Sequence, residues 1–254
     1  MSENANFDST YYNVDYFKTP KGKKFHNSDG TIGTWSYANP TGDWHGCKPI
    51  SRTWKDMFNL NANKDYQPKV LDVGCGRGTF ISYLRAIGVE TYGFDFSTWA
   101  IANPHPGCNK SWIVVHDATK QFPYGDSAFE FIICLDLMEH MYADDIDKVI
   151  NELVRVSKKW IFLQIATVTG LGNEFDLKGY ILNKGDKVPI EYEAMAVAGH
   201  VTVKPKQFWI DKLMTGRENK WKLREDKVSE FISKVPSDII TNWLQNTIIV
   251  LEKI

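Results

Sequence analysis

The chain has 254 residues, with 30 Lys and Arg against 31 Asp and Glu, for a formal charge of −1. That balance excludes the broad basic surface that a nucleic-acid backbone demands. No apolar run approaches the ~20 residues of a membrane span, and the length suits one large α/β domain.

Residues 1–67 form an N-terminal segment dense in aromatics: Tyr11, Tyr12, Tyr16, Trp35, Tyr37, Trp44, with His45 beside them. No regular periodicity runs up to Gly46, so loop, turn or hairpin is expected. Ile50, Trp54 and Phe58, spaced by four, predict a helix leading into the first strand. Lys18, Lys21, Lys23 and Lys24 read as a solvated basic loop.

Val70, Leu71 and Val73 predict a short buried strand. Gly74, Gly76 and Gly78 follow at alternate positions, where the chain turns sharply and a ligand can lie against the backbone. Phe80, Ile81, Leu84 and Ile87 then share one side of a helix, with Gly88 at its C-cap. Strand, glycine turn and helix together predict a nucleotide cradle whose backbone N–H groups face the ligand. The dinucleotide fingerprint needs its third glycine at position 79, which is Thr79, so NAD and FAD are disfavoured. The run Leu71-Asp72-Val73-Gly74-Cys75-Gly76-Arg77-Gly78 resembles motif I of the class I S-adenosylmethionine (SAM) dependent methyltransferases. The resemblance implies SAM as cofactor, S-adenosylhomocysteine (SAH) as product, and Asp72, Gly74, Cys75, Gly76 and Gly78 as cofactor-binding positions. It implies a doubly wound, mostly parallel seven-stranded α/β sheet with helices on both faces.

The second strand, Thr91 to Phe96, ends on Asp95, about 20 residues past the glycines, where Rossmann-like sheets carry a ribose-binding acid. Phe96 is placed to stack on adenine. Ser97 reads as the N-cap of a helix through Ala102 that Pro104 and Pro106 stop. A third strand, Trp112 to Val115, leads to Asp117 and Ala118, which match the family's adenine-binding positions. Phe122 to Glu130 resembles the family segment before strand four. Strand four, Phe131 to Leu135, is a continuous apolar run, as a doubly covered parallel strand requires, with Leu135 at the cofactor. Asp136-Leu137-Met138-Glu139-His140 then resembles the x-Glu-His segment of many small-molecule methyltransferases.

Asp144 to Lys158 is an amphipathic helix with acids early and bases late. Trp160 to Ile165 is strand five. Trp221 to Arg224 and Thr247 to Leu251 are candidates for the sixth strand and the antiparallel seventh. Residues 68–254 are the expected SAM-binding domain. Residues 168–204 within it, with Tyr192, Met195 and His200, are an expected lid beside the N-terminal segment. At least three aromatics of these two segments are expected to line the substrate pocket.

SAM carries its own electrophile, so the protein must align an acceptor and exclude water. An alcohol or ammonium acceptor also loses a proton, for which histidine is suited. His200 leads the candidates, in a Gly-His-x-x-Val-x-Pro pattern, followed by His140 and then His45; Glu139 could bind the acceptor. Asp136 lacks a second acid pair, so no metal is expected. The expected partner is a small-molecule acceptor such as a sugar or other metabolite, methylated on O or N, with no nucleic acid and no membrane. A monomer or homodimer is expected. The N-terminus lacks the basic and apolar regions of a signal peptide. Cys47, Cys75, Cys108 and Cys134 form no C-x-x-C pair, so disulfides are not expected and a cytoplasmic setting is. Three alternatives stay open. They are a nucleic-acid methyltransferase, a catalytically inactive SAM-binding subunit, and a nucleotide-dependent oxidoreductase. Asn103-Pro104-His105-Pro106 superficially resembles an amino-methylating motif, but it follows the second helix and reads as a helix terminator.

Overall fold

The computed structural model describes residues 7–18, 23–26, 31–35, 46–168, 179–189, 192–196, 198–239 and 246–254. Lys21, Tyr37, Trp44 and His45 lie outside the described residues. The N-terminal segment holds a short helix α1 (Val14–Lys18) and an antiparallel hairpin of β1 (Lys23–His26) and β2 (Ile32–Trp35). Helix α2 (Cys47–Met57) follows, burying Ile50, Trp54 and Met57 on one side.

Strand and helix then alternate: β3 (Lys69–Val73), α3 (Thr79–Ala86), β4 (Glu90–Asp95), α4 (Thr98–Ala102), β5 (Ile113–Val115), β6 (Phe129–Leu135), α5 (Ala143–Val156) and β7 (Ser157–Gln164). Ser97 caps α4, its hydroxyl accepting from the Ala100 N–H. Two boundaries differ from the sequence reading. Helix α5 stops at Val156 and β7 begins at once at Ser157, because Ser157 pairs with Phe129 of β6. Polar Ser157-Lys158-Lys159 hid that strand start inside the helical charge pattern. Trp112 belongs to a 3-10 turn, Lys110–Trp112, just before β5.

The chain continues with β8 (Tyr180–Ile181), α6 (Glu193–Ala196), β9 (Thr202–Val203), α7 (Lys206–Met214), β10 (Trp221–Leu223), α8 (Glu225–Lys234) and β11 (Ile248–Lys253). The main sheet runs β10-β11-β7-β6-β3-β4-β5. Its five strands from β7 to β5 are parallel, and β11 and β10 close it antiparallel. This is the seven-stranded, doubly wound sheet that the sequence predicts. Helices α2, α3 and α8 cover one face, where Trp54, Phe131, Phe162 and Phe231 are fully buried. Helices α5 and α7 cover the other, around Ile132, Leu163, Ile150 and Trp209. Alternate residues of β6, β7 and β11 feed the two cores, so these strands read as unbroken apolar runs. Strands β8 and β9 pair antiparallel over a small satellite core of Tyr142, Tyr180, Tyr192, Val201 and Val203.

The chain reverses direction across the sheet between β4 and β6, which flank β3 on opposite sides. Ligands of open α/β sheets bind outside the carboxyl ends of the strands at such a switch. The packing there is tight. A Cβ on Gly93 of β4 would lie 2.6 Å from Ile81 Cδ1 and 2.8 Å from the Asp72 carbonyl oxygen. Gly93→Ala should therefore destabilise by about 1–3 kcal/mol through overpacking. Gly125→Ala, whose Cβ meets nothing within 4 Å, should be near neutral. Urea unfolding of both variants checks the contrast, and equal midpoints would overturn it.

Candidate functional site

The turn after β3 places Gly74 at φ 78°, Gly76 at φ 53° and Gly78 at φ 75°. These are left-handed values that favour glycine. Its N–H groups are spent inside the protein. Those of Gly74 and Cys75 both donate to the Phe94 carbonyl at 3.0 Å, and that of Gly78 donates to Cys75 O at 2.9 Å. The Gly76 N–H donates to Asp95 Oδ2 at 2.7 Å. The expectation that these amides face a ligand is corrected: three of them tie the turn to the end of β4, and the fourth closes the turn on itself. What the turn offers a ligand is bare backbone. A Cβ on Gly76 would meet only the Phe17 ring, at 3.8 Å.

That backbone borders a cavity of about 1060 Å³ at the carboxyl ends of the parallel strands. Of the predicted cofactor positions, Asp72, Gly74, Cys75, Gly76, Asp95, Phe96, Asp117, Ala118 and Leu135 all line it. Gly78 does not; it starts α3, and a Cβ there would lie 2.5 Å from Cys108 Sγ. Cys75 is a buried small residue whose thiol burial pushes well up, which leaves it protonated. The Asp117 carboxylate holds its own loop, accepting the Thr119 N–H at 2.8 Å.

The cavity wall is acidic. Asp8, Asp72, Asp95, Asp117, Asp136, Glu139, Asp145 and Asp238 line it, against Arg77 and Lys184. Burial, and then the neighbouring Asp95, push the Asp72 carboxyl up to about 7. Burial also raises Asp95, although its bonds from the Ser97 and Gly76 N–H groups oppose the shift. Buried carboxylates that raise one another suit a cationic occupant.

Past β6 the chain turns at Asp136 (φ 48°) into a 3-10 turn, Met138–His140. Asp136 accepts from Gln164 Nε2 at 3.1 Å, and burial pushes its carboxyl up to about 6. Glu139 is fully buried; its Oε1 accepts the Ala166 N–H at 3.1 Å, while Oε2 has no hydrogen-bond partner among the described residues. Burial, then Asp136, raises its carboxyl well above the usual range. His140 Nδ1 lies 2.9 Å from the Gly199 carbonyl and 3.2 Å from the Tyr12 hydroxyl. A carbonyl only accepts, so Nδ1 carries the proton and Nε2 a lone pair. Burial lowers the His140 ring to about 4 and lowers His200 too, with His140 as second cause for the latter. Both rings are therefore neutral at pH 7. They lie 5.0 Å apart, and His200 Nδ1 has no partner among the described residues. The fold thus brings together Glu139, His140 and His200, from segments 60 residues apart, at the end of the cavity wall.

Of the aromatics singled out in the flanking segments, Tyr12, Tyr16 and Trp54 line the cavity. Tyr192 instead packs on Tyr180, with ring centroids 4.4 Å apart. Sequence reasoning missed Phe7, Phe17, Tyr142 and Gln164, which also line the cavity. Gln164 is simply the last residue of β7, and its position there is the signal available. Tyr12 is held in place because its carbonyl accepts the Ser97 hydroxyl's hydrogen bond.

Residues 71–160 match the family model described as a methyltransferase domain. A ubiquinone biosynthesis O-methyltransferase of Glaesserella parasuis serovar 5 (strain SH0165) is 28% identical over 111 residues, 41% of this chain. The match spans about half, 47%, of that relative's length. Among solved structures, the plantazolicin methyltransferase BpumL with a triazolic desmethylPZN analog and SAH superposes with a TM-score of 0.54 at 13% identity, covering 85% of this chain and 86% of that one. A chain from the complex of the Haloferax volcanii Trm112 methyltransferase activator with a methyltransferase gives 0.50 at 11% identity, covering 84% and 95%. The domain match, the order and direction of the seven strands, and the glycine turn at the cavity agree: the chain carries a methyltransferase domain, on the seven-stranded fold that the SAH-bound methyltransferase structure shares.

Proposed function

We propose that this chain transfers the methyl group of SAM to an oxygen or nitrogen of a small-molecule acceptor. The observation that carries the reading is the acidic cavity under the glycine turn. SAM brings a sulfonium and an ammonium, and a wall of buried carboxylates complements both. Asp95 is assigned to the ribose hydroxyls, Phe96 to the adenine face, Asp117 and Ala118 to the adenine edge, and Asp72 to the positive end. The bare backbone at Gly76 lets the cofactor lie close.

A volume of about 1060 Å³ is at the upper end of single-ligand pockets, so a cofactor and a second compact molecule fit together. Phe7, Tyr12, Tyr16 and Phe17 supply apolar walls from the N-terminal segment, and Ala198 and His200 join them, the Tyr16 hydroxyl donating to the Ala198 carbonyl at 3.2 Å. Such walls suit a compact, partly apolar acceptor, whereas acidic walls oppose a polyanion. The relative named for ubiquinone-biosynthesis O-methylation favours oxygen as the methylated atom. Glu139, His140 and His200 are assigned to the acceptor. The bond from Nδ1 to the Gly199 carbonyl fixes the His140 ring at the acceptor end of the cavity.

Gly76→Val should abolish SAM and SAH binding measured by calorimetry while the circular dichroism spectrum stays native. Equal affinity in variant and wild type would sink the cofactor assignment. The Asp72 carboxyl, poised near 7, must lose its proton to meet the cofactor's positive charge. SAM affinity should therefore fall by up to about tenfold per pH unit below 7 and level off above it. Asp72→Asn should bind weakly with a flatter profile, and an unchanged profile would refute the contact. For the acceptor, labelled SAM and a metabolite extract should yield a labelled low-mass product. Label appearing only in nucleic acid would overturn that part of the reading.

A further inference from the structure

Glu139, His140 and His200 each direct one ligand-type atom into a common space, and those atoms lie within 4.8 Å of one another. Two of these side chains also carry a buried unsatisfied atom, Glu139 Oε2 on a fully buried side chain and the Nδ1 of His200, both without partners among the described residues. Burying a carboxylate oxygen and an imidazole nitrogen unpaired is costly, and each such group calls for an explanation. The third member is set up differently. His140 donates Nδ1–H to a backbone carbonyl, an arrangement that fixes the ring and turns the other nitrogen into a lone-pair donor. Metal-ligating histidines are oriented by such a bond.

We propose that Glu139, His140 and His200 form a site for one divalent first-row transition cation at the acceptor end of the cavity. The proposal deepens the methyltransferase reading and rests on it for the ion's use. Two imidazoles and one carboxylate are the donor set that suits zinc, cobalt, iron or manganese. Donor–metal distances of about 2.0–2.2 Å set ligand atoms roughly 3–4 Å apart. A cluster within 4.8 Å therefore contracts only slightly around an ion. Asp136, paired with Gln164 beside Glu139, adds negative charge without being needed as a ligand. Three protein ligands leave coordination positions open towards the cavity, where an acceptor bearing an oxygen donor would complete the shell. This selects oxygen over nitrogen as the methylated atom. Among the described residues, it gives Glu139 Oε2 and His200 Nδ1 a common purpose that hydrogen bonding inside the protein does not.

The full chain, freed of metal by chelation, is titrated with Co²⁺ and followed by its visible ligand-field absorption. Zn²⁺ and Mn²⁺ are measured by calorimetry, and SAM affinity is measured in parallel without metal. One Co²⁺ per chain with visible bands is expected, displaced by Zn²⁺. Glu139→Gln, His140→Ala and His200→Ala should each weaken Co²⁺ at least tenfold while SAM affinity holds. His105→Gln, outside the cavity, should leave the bands unchanged. No binding of any of the three ions to the wild type would overturn the site. So would bands that survive both Glu139→Gln and His200→Ala. His140→Asn repeats the test should His140→Ala not fold. Loss of SAM binding by the wild type with the cobalt bands intact would strike the methyltransferase reading and leave the ion site standing.

Discussion

The Asp95 carboxylate accepts two backbone N–H groups, from Gly76 and from Ser97, each at 2.7 Å. With the Phe94 carbonyl receiving the Gly74 and Cys75 N–H groups, it ties the turn after β3 to the turn after β4. Charge-assisted bonds of this kind contribute on the order of 1.5–3 kcal/mol each. They also decide geometry, because the two turns form adjacent parts of the cavity rim. Ser97, set by the same carboxylate, caps α4 and holds Tyr12 through its hydroxyl. One acid thus connects the cofactor turn, a helix and the N-terminal segment, and any ligand bonding to Asp95 acts on all three.

Against that order stands an unresolved electrostatic load. Asp72, Asp95, Asp136 and Glu139 are all pushed towards the protonated form, and burial is the first cause in each. Arg77, one of the two cations at the cavity, gives its guanidinium to the Asn103 and Pro104 carbonyls. Buried acids without cations are a local conflict that a core built for stability would avoid. Such conflicts are expected where a ligand of opposite charge completes the structure. At the glycine end the positive groups of the proposed cofactor pose would fill that need, and at the Glu139 end the proposed metal ion would.

Much of this was legible in the chain because it is local. The strand apolar runs, the glycines at 74, 76 and 78, Asp95 at a strand end and Ser97 before α4 all follow from neighbours within a few residues. The closing strands β10 and β11 were legible only through resemblance, since their pairing joins residues about 30 apart. The direction of the turn's N–H groups was misread because sequence shows that donors exist and not which acceptor is nearer. The Phe94 carbonyl and the Asp95 carboxylate, one strand over, took them. In the sequence His140 and His200 read as alternative bases and Glu139 as a separate acceptor-binding residue. No periodicity links position 140 to position 200; the link is made by β9 and by the Val201 N–H bonding the Glu139 carbonyl at 2.8 Å.

That last bond shows how the segment after β7 earns its place. Thr202 donates its hydroxyl to the Met141 carbonyl at 2.7 Å, and Leu182 receives the Ala143 N–H at 3.1 Å. The turn after β6 is thereby clamped between β9 and the start of α5. Gly199, at φ 90°, has no room for a side chain: a Cβ would lie 2.6 Å from the Tyr12 hydroxyl oxygen and 2.9 Å from His140 Nδ1. The glycine lets its carbonyl reach His140 while the N-terminal tyrosine closes over both. Three segments distant in sequence therefore meet at one imidazole. Its tautomer is set by backbone that belongs to neither the cofactor turn nor the sheet. In this way the fold keeps the sheet and its glycine turn as a platform and builds the far wall of the cavity from flanking segments whose sequences carry no regular pattern.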